Sequence, residues 1–263
     1  MTNSTLSLLQ KSIQKRYNRA LQAMSGHSKW ATIKRQKGVN DQKRGKTFTK
    51  LGNAITIAVK QGGGIGDPAS NFRLRLAIDT ARGENMPKEN IERAIKRATE
   101  KDTADFQEVI YEGFTPGGVS VIVEAATDNP MRTTSEVKSI FNKANASFGQ
   151  PGSVSYQFKH IGRIIAKKGN KSFDDLFSIA LDLGAEDIEE VGDEVFVYTS
   201  LHDLAKIKDA LTAAAIEVVE AELIREPVVT VQVEEEDKLL RIDHFINTLE
   251  ALDDVLKVYT NLQ

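Results

Sequence analysis

Apolar positions recur every three to four residues between about 41 and 101, and every second residue from about 105 onward, so the chain divides into a helical part and a mixed part. Phe48, Leu51, Ile55 and Ala58 share one helical face. The run Gln61-Gly62-Gly63-Gly64-Ile65-Gly66-Asp67-Pro68 then breaks the pattern. A second helix is predicted from Pro68 to Arg82, with Phe72, Leu76 and Ala77 inward and Gly83 as its stop. Pro87 suits the first position of a third helix, whose apolar face is Ile91, Ala94, Ile95 and Ala98. Three such helices predict a small bundle, with Arg73, Arg75, Arg93, Lys96 and Arg97 available to its outer surface.

From residue 105 the pattern predicts strands at Phe106–Phe114 and Val119–Ala125, joined by the turn Thr115-Pro116-Gly117-Gly118. A helix is expected over 134–146. Thr133-Thr134-Ser135-Glu136 reads as its capping box, and Val137, Ile140, Phe141 and Ala144 as its buried face. Val154, Tyr156 and Phe158 alternate as one half-buried strand would. Residues 161–226 spell out a strand (Arg163–Lys167), a helix capped by Ser172 and stopped at Gly184, and two strands turning at Gly192-Asp193. A helix capped by Ser200 and a strand from Val218 complete them. That order, βαββαβ, is the ferredoxin-like motif. The tail offers a strand (228–233), a helix (238–252) and a strand (254–260) that lack partners unless they join the 103–158 segment. The expected fold class is therefore α+β. A basic helical domain spans 24–102, a discontinuous α/β domain spans 103–158 plus 228–263, and a ferredoxin-like domain spanning 159–227 is inserted in it.

Composition changes this picture mainly through charge. The chain as a whole carries a net −2, but residues 1–101 hold 21 Lys and Arg against 7 Asp and Glu, whereas residues 102–263 hold 14 against 30. Within residues 24–50 the basic side chains are Lys29, Lys34, Arg35, Lys37, Lys43, Arg44, Lys46 and Lys50, opposed only by Asp41 and joined by the single tryptophan, Trp30, and by His27. Lysine and arginine neutralise phosphates and release counterions, and an indole can stack on a base. The segment therefore points to a polyanion, and nucleic acid is the expected partner. Arg73 and Arg75 extend the candidate surface onto the bundle. Trp30 reads equally as a contact or as a core anchor.

Other chemistries fit less well. Gly38 and Gly45-Lys46-Thr47 are separated by six residues where a phosphate-binding loop needs four, and no buried strand precedes them. Glu234-Glu235-Glu236-Asp237 reads as a helix-start cap before it reads as a metal site. The absence of cysteine excludes disulfides, zinc–thiolate sites and thiol catalysis. The four histidines, at 27, 160, 202 and 244, show no ligand spacing. No catalytic constellation is present, and neither enzyme activity, cofactor nor metal is expected. The Gly62–Asp67 loop reads either as a close approach to a nucleic-acid backbone or as an interhelical turn. Residues 1–23 read as an upstream extension before Met24 or as a transit peptide, weakly structured in either case. A cytoplasmic protein is expected under the first reading and a mitochondrial-matrix protein under the second.

The ordered series Gly26-His27-Ser28-Lys29-Trp30, Lys43-Arg44-Gly45-Lys46, Phe48-Thr49-Lys50-Leu51, Gly62-Gly63-Gly64, Arg73-Leu74-Arg75, Asn85-Met86-Pro87-Lys88 and Ile91-Glu92-Arg93-Ala94-Ile95 resembles the YebC/PmpR family. Tyr111-Glu112-Gly113 and Pro116-Gly117-Gly118-Val119 continue the resemblance. It implies the same three-domain α+β architecture and a non-enzymatic role in gene expression. Bacterial members are described as probable DNA-binding transcription regulators of the cytoplasm. Mitochondrial relatives resemble translational activators, and some bacterial members are linked to stalled ribosomes. The implied partner is therefore DNA, or alternatively ribosomal or transfer RNA on the ribosome; the acidic α/β domains, which a nucleic acid repels, offer a surface for a protein partner. Two departures from the family pattern stand out: the 23 residues before Met24, and Ile65-Gly66 inserted ahead of Asp67-Pro68.

Overall fold

A computed structural model of the chain describes residues 42–99 and 106–263. Three helices come first: α1 (Gln42–Gln61), α2 (Phe72–Gly83) and α3 (Lys88–Thr99). They close on one core of Ile55, Ala58, Val59, Leu74, Ile78, Ala81, Ile91, Ala94 and Ala98, with Phe48, Leu51 and Ile95 packed at its margin. The second helix begins later than its sequence predicts. The Asp67 side chain accepts from the Ala69 amide and the Ser70 hydroxyl, both at 3.0 Å, and so holds residues 67–70 as a turn. Asn71 is the cap, its Oδ1 accepting from the Leu74 amide at 3.1 Å. Its inward face is also shifted: Leu74, Leu76, Ile78 and Ala81 are buried, while Phe72 and Ala77 are only half-buried.

The glycine run is an interhelical turn. Gly63 and Gly64 have φ of 75° and 80°, the left-handed conformation that ends a helix, and the Gly64 amide donates to the Val59 carbonyl at 2.9 Å. The Asn71 amide lies across Gly62 and donates to the carbonyls of Ala58 and Ile65, each at 3.0 Å. A Cβ on Gly62 would stand 2.1 Å from the Asn71 nitrogen, so that packing admits only glycine.

Two four-stranded sheets follow. The first comprises β1 (Gln107–Phe114), β2 (Ser120–Thr127), β3 (Ser147–Phe148) and β8 (Val255–Thr260), in the order β3-β1-β2-β8. Every pairing in it is antiparallel, with Tyr111 opposite Val123 and Val123 opposite Val258. The tail strand thus completes a sheet begun about 140 residues earlier. Helices α4 (Pro130–Lys143) and α7 (Glu236–Glu250) belong to this part. Fully buried Phe141 meets Phe148 and Phe245 edge-on at 5.4 and 4.9 Å.

Three local expectations are corrected here. Helix α4 starts at Pro130, capped by Asn129 through the Arg132 amide at 3.1 Å, so Thr133–Glu136 is not its capping box. Thr133 is instead buried and donates to Asp254 at 2.6 Å. Residues 154–157 do not form a strand; Phe158 does, as the first residue of the strand that runs to Lys167. Ser155–Gln157 is a 3₁₀ turn, fixed because the buried Glu112 carboxylate accepts from the amides of Gly152, Val154 and Ser155 at 2.8, 2.7 and 2.9 Å. Residues 228–233 are also not a strand. They are held by single bonds, Val228 N–H to the Gln157 carbonyl and Val231 N–H to the Asn261 carbonyl, both 2.7 Å.

The second sheet comes from β4 (Phe158–Lys167), α5 (Phe173–Leu183), β5 (Asp187–Val191), β6 (Glu194–Thr199), α6 (Leu204–Ala213) and β7 (Val218–Pro227). The element order is βαββαβ and the strand order β5-β6-β4-β7, so the first strand lies between the third and fourth, as in a split βαβ motif. Helix α5 carries the expected cap: Ser172 and Asp175 form a capping box, and Gly184 ends the helix at φ 97°. Ser200 does not cap α6, which begins after Asp203; its hydroxyl accepts from the Asp203 amide at 3.1 Å and holds the turn ahead of the helix. Residues 162–219 form one compact unit, and residues 42–99, 106–161 and 220–262 belong to another. Among the described residues no helix is long and apolar enough to cross a membrane.

Candidate nucleic-acid interface

Of the candidate contacts, His27, Lys29, Trp30, Lys34, Arg35 and Lys37 lie outside the described residues. Lys43 and Arg44 are placed by their backbone in the first turn of α1. That turn contains no acid, so it adds its own partial positive charge to theirs.

Lys46 and Lys50, one turn further on, are engaged within the chain. The Lys50 ammonium donates to the carbonyl of Glu250. That of Lys46 lies 3.4 Å from the Ala251 carbonyl and 3.8 Å from the Asp253 carboxylate. Both carbonyls belong to the end of α7, where backbone oxygens have no helical partner and the helix dipole is negative. Lysine is a suitable residue for that position, and the two bonds tie the start of the bundle to the last helix. The Lys46 side chain remains 61 % exposed; Lys50 is half-buried.

Arg73 and Arg75 do not share a face, since residues two apart on a helix diverge. Arg73 donates to the Gln61 side-chain oxygen at 2.7 Å, and Gln61 in turn donates to Glu108 at 2.6 Å. Arg75 lies over the Phe72 ring, 5.3 Å from its centroid. Next to Arg73 the structure builds a balanced acid–base cluster. Arg225 donates to Glu124 at 2.6 Å, and Lys257 pairs with Glu222. Burial, together with the Glu124 charge, pushes the Glu108 carboxyl above the ordinary range. Burial and the charge of Arg225 lower His160. Burial alone would lower Lys257, but the adjacent Glu222 carboxylate outweighs it and holds the ammonium above its ordinary value. Arg225 and Lys257 are neutralised locally and add little to a cationic face.

Sequence reasoning left one hollow of mixed lining out of the candidate site. Between α1 and α3, Thr49, Asn53, Asn90, Arg93 and Arg97, together with Phe48, Met86 and Ala94, line a space of about 270 Å³. Arg97 is fixed there, donating to Asn53 at 3.2 Å and Thr56 at 3.1 Å, with its guanidinium over Phe106. The available signal was the i, i+4 spacing of two arginines on α3. The hollow supplies guanidinium and amide donors that suit phosphate or a base edge.

Two family models match the chain. That of the TACO1/YebC protein N-terminal domain covers residues 28–101, and that of the TACO1/YebC second and third domain covers residues 106–262. A "probable transcriptional regulatory protein" of Acidithiobacillus ferrooxidans is 49 % identical over 241 residues, covering 90 % of this chain and 94 % of its own. A protein of the same name from Roseiflexus castenholzii is 48 % identical over 245 residues, covering 91 % and 95 %. A crystal structure of a conserved hypothetical protein from Aquifex aeolicus superposes with a TM-score of 0.77 at 40 % identity, covering 85 % of this chain and 91 % of its own.

Proposed function

The chain belongs to the TACO1/YebC family, and on that footing we propose that it is a non-enzymatic, nucleic-acid-binding regulator of gene expression, acting on DNA in transcription. The observation that carries this reading is the division of charge: 21 basic against 7 acidic residues up to residue 101, and 14 against 30 beyond it. Such a molecule approaches a polyanion with its N-terminal third foremost. The names of its relatives, probable transcriptional regulatory proteins, support transcription as the output. The contacting surface is residues 27–44, namely His27, Lys29, Trp30, Lys34, Arg35, Lys37, Lys43 and Arg44, extended by the Arg93–Arg97 hollow. Lys46 and Lys50 position that surface through α7. We assign the basic part to 24–102, the discontinuous α/β part to 103–158 with 228–263, and the inserted part to 159–227, and we place the protein in the cytoplasm.

A second reading, an RNA-binding translation factor on the ribosome, is favoured by one observation. The exposed side of α3 interleaves Glu89 and Glu92 with Lys88, Arg93 and Lys96, and Lys88 and Glu92 pair at 3.4 Å. A helix with that mixture is poorly suited to a major groove, whereas irregular RNA is recognised largely by shape.

Salt-dependent binding tests the proposal. With the six basic residues from Lys29 to Arg44 on phosphates, log affinity falls against log salt with a slope of about −5 on duplex DNA. The K34E/R35E/K37E variant reduces that slope by about 3 without changing the circular dichroism spectrum. A wild-type slope shallower than about −1, or an unchanged variant, overturns the assignment. Binding of structured RNA in strong preference to duplex DNA moves the output to translation.

A further inference from the structure

Helices α4 and α7 and the β1–β2 turn enclose a groove of about 750 Å³ that the nucleic-acid reading does not use. Its size is within the range of ligand-binding clefts. Ile140, Ala144 and the buried Phe245 supply apolar lining, and Leu240, which also lines it, is 62 % exposed. A large aliphatic side chain left open beside an apolar cleft marks an interaction surface more than a finished core.

The charged part of the lining has one sign. Lys143, Lys238 and Arg241 contribute to it, and no aspartate or glutamate does. Lys238 is occupied by Glu235 at 2.6 Å, but Lys143 and Arg241 are exposed and hold no ion pair among the described residues. This cationic rim stands in the half of the chain where acids outnumber bases by 30 to 14. Cations kept unneutralised in such surroundings, around an apolar floor, specify a ligand that is apolar on one side and anionic at its edges. A groove with walls supplied by two helices suits an amphipathic helix.

We propose that this groove binds an acidic amphipathic helix of a partner protein, its apolar face laid on Ile140, Leu240 and Phe245 and its carboxylates meeting Lys143 and Arg241. A nucleic-acid strand fits less well, because the floor is apolar and its one phenyl ring, Phe245, is buried, which leaves the His244 imidazole as the single exposed ring of the lining.

The test uses the full chain and two fluorescein-labelled synthetic helices of about 18 residues, long enough to be helical in solution. Both carry leucine at i, i+3, i+4 and i+7; one has glutamate on its flanks and the other lysine. The glutamate peptide is expected to bind about tenfold or more tightly than the lysine peptide. K143E/R241E reverses that preference, and L240D weakens the glutamate peptide by a similar factor. Both variants alter exposed side chains, and unchanged thermal melts verify their folding. Their slope for nucleic acid against salt stays at the wild-type value. Equal binding of the two peptides, no binding of either, or indifference to both variants overturns the proposal. So does preferential displacement of the peptide by dodecanoate, which would make the groove a site for a lipid carboxylate. A loss of about two units of salt slope in K143E/R241E would assign the rim to phosphate instead.

Discussion

Replacing Glu112 by glutamine tests how the turn after β3 is held. The carboxylate is 5 % exposed and accepts three backbone N–H bonds, from Gly152 at one oxygen and from Val154 and Ser155 at the other. Glutamine matches its shape but has a single acceptor oxygen. Whichever way the amide is turned, its NH₂ faces at least one backbone donor in a buried site. Hydrogen bonds to a charged group contribute about 1.5–3 kcal/mol each, and a buried donor left unpaired costs about 1–3 kcal/mol. E112Q is therefore expected to destabilise the unit containing β1 by about 2–4 kcal/mol, lowering its melting temperature by roughly 5–15 °C. The pH dependence gives an independent signature. Burial alone would raise the carboxyl, but the amides of Val154, Gly152 and Ser155 outweigh it, so its folded pKa lies below the ordinary value. The stabilisation is thus present above the ordinary carboxylate range and is lost as pH falls through the folded pKa. Urea unfolding between pH 7 and pH 3 should show wild-type stability converging on that of E112Q at the acid end. A difference under about 0.5 kcal/mol at pH 7, or one that does not shrink with acid, would refute the reasoning.

G113A should cost about 3 kcal/mol or more in chemical denaturation, because a Cβ there would stand 2.3 Å from the Ser147 carbonyl and 2.5 Å from the Phe141 ring. R225M should cost about 3 kcal/mol by leaving Glu124 unpaired where both side chains are largely buried, at 16 % and 14 % exposure. Asp254 accepts from Thr133, Arg132 and Thr127, which outweigh burial and hold its carboxyl below the ordinary range. D254N should therefore lose stability at neutral pH and little near pH 3, read by thermal melts across that range. K50A should destabilise by about 1.5 kcal/mol yet leave the salt slope for nucleic acid unchanged, separating the positioning lysine from the contacting ones.

The helices, the hairpin and the βαββαβ order were legible because each rests on local signals. The 3.6-residue apolar repeat marks α1 and α3, Pro116-Gly117-Gly118 marks the hairpin turn, and Ser172 with Gly184 marks both ends of α5. The misread places all have distant partners. Thr133 looked like a cap until Asp254, 121 residues away, claimed its hydroxyl. Val154–Phe158 alternates like a strand, but a carboxylate 42 residues upstream gathers its amides into a turn. Glu112 itself gave no warning, since a polar residue in a strand ordinarily faces water. The candidate interface was legible as charge alone. That Lys46 and Lys50 close onto α7 depends on carbonyls 205 and 200 residues further on, and no local pattern encodes such a partner.

The same closure sets an order of events during synthesis. Residues 162–219 are contiguous and complete as soon as they emerge. The sheet begun by β1 and β2 is different: one edge of β2 stays open until β8 is made, about 130 residues later, on the order of ten seconds at usual elongation rates. Over the same interval Lys50 has no helix end to hold. A nascent chain of this protein therefore carries its basic segment on an incompletely anchored bundle beside an unpaired strand, a form that chaperones bind and proteases cut. Stop codons ahead of α7 remove the carbonyls that Lys46 and Lys50 hold together with β8, so loss of the end of the gene should loosen the helices at its beginning as well as the sheet.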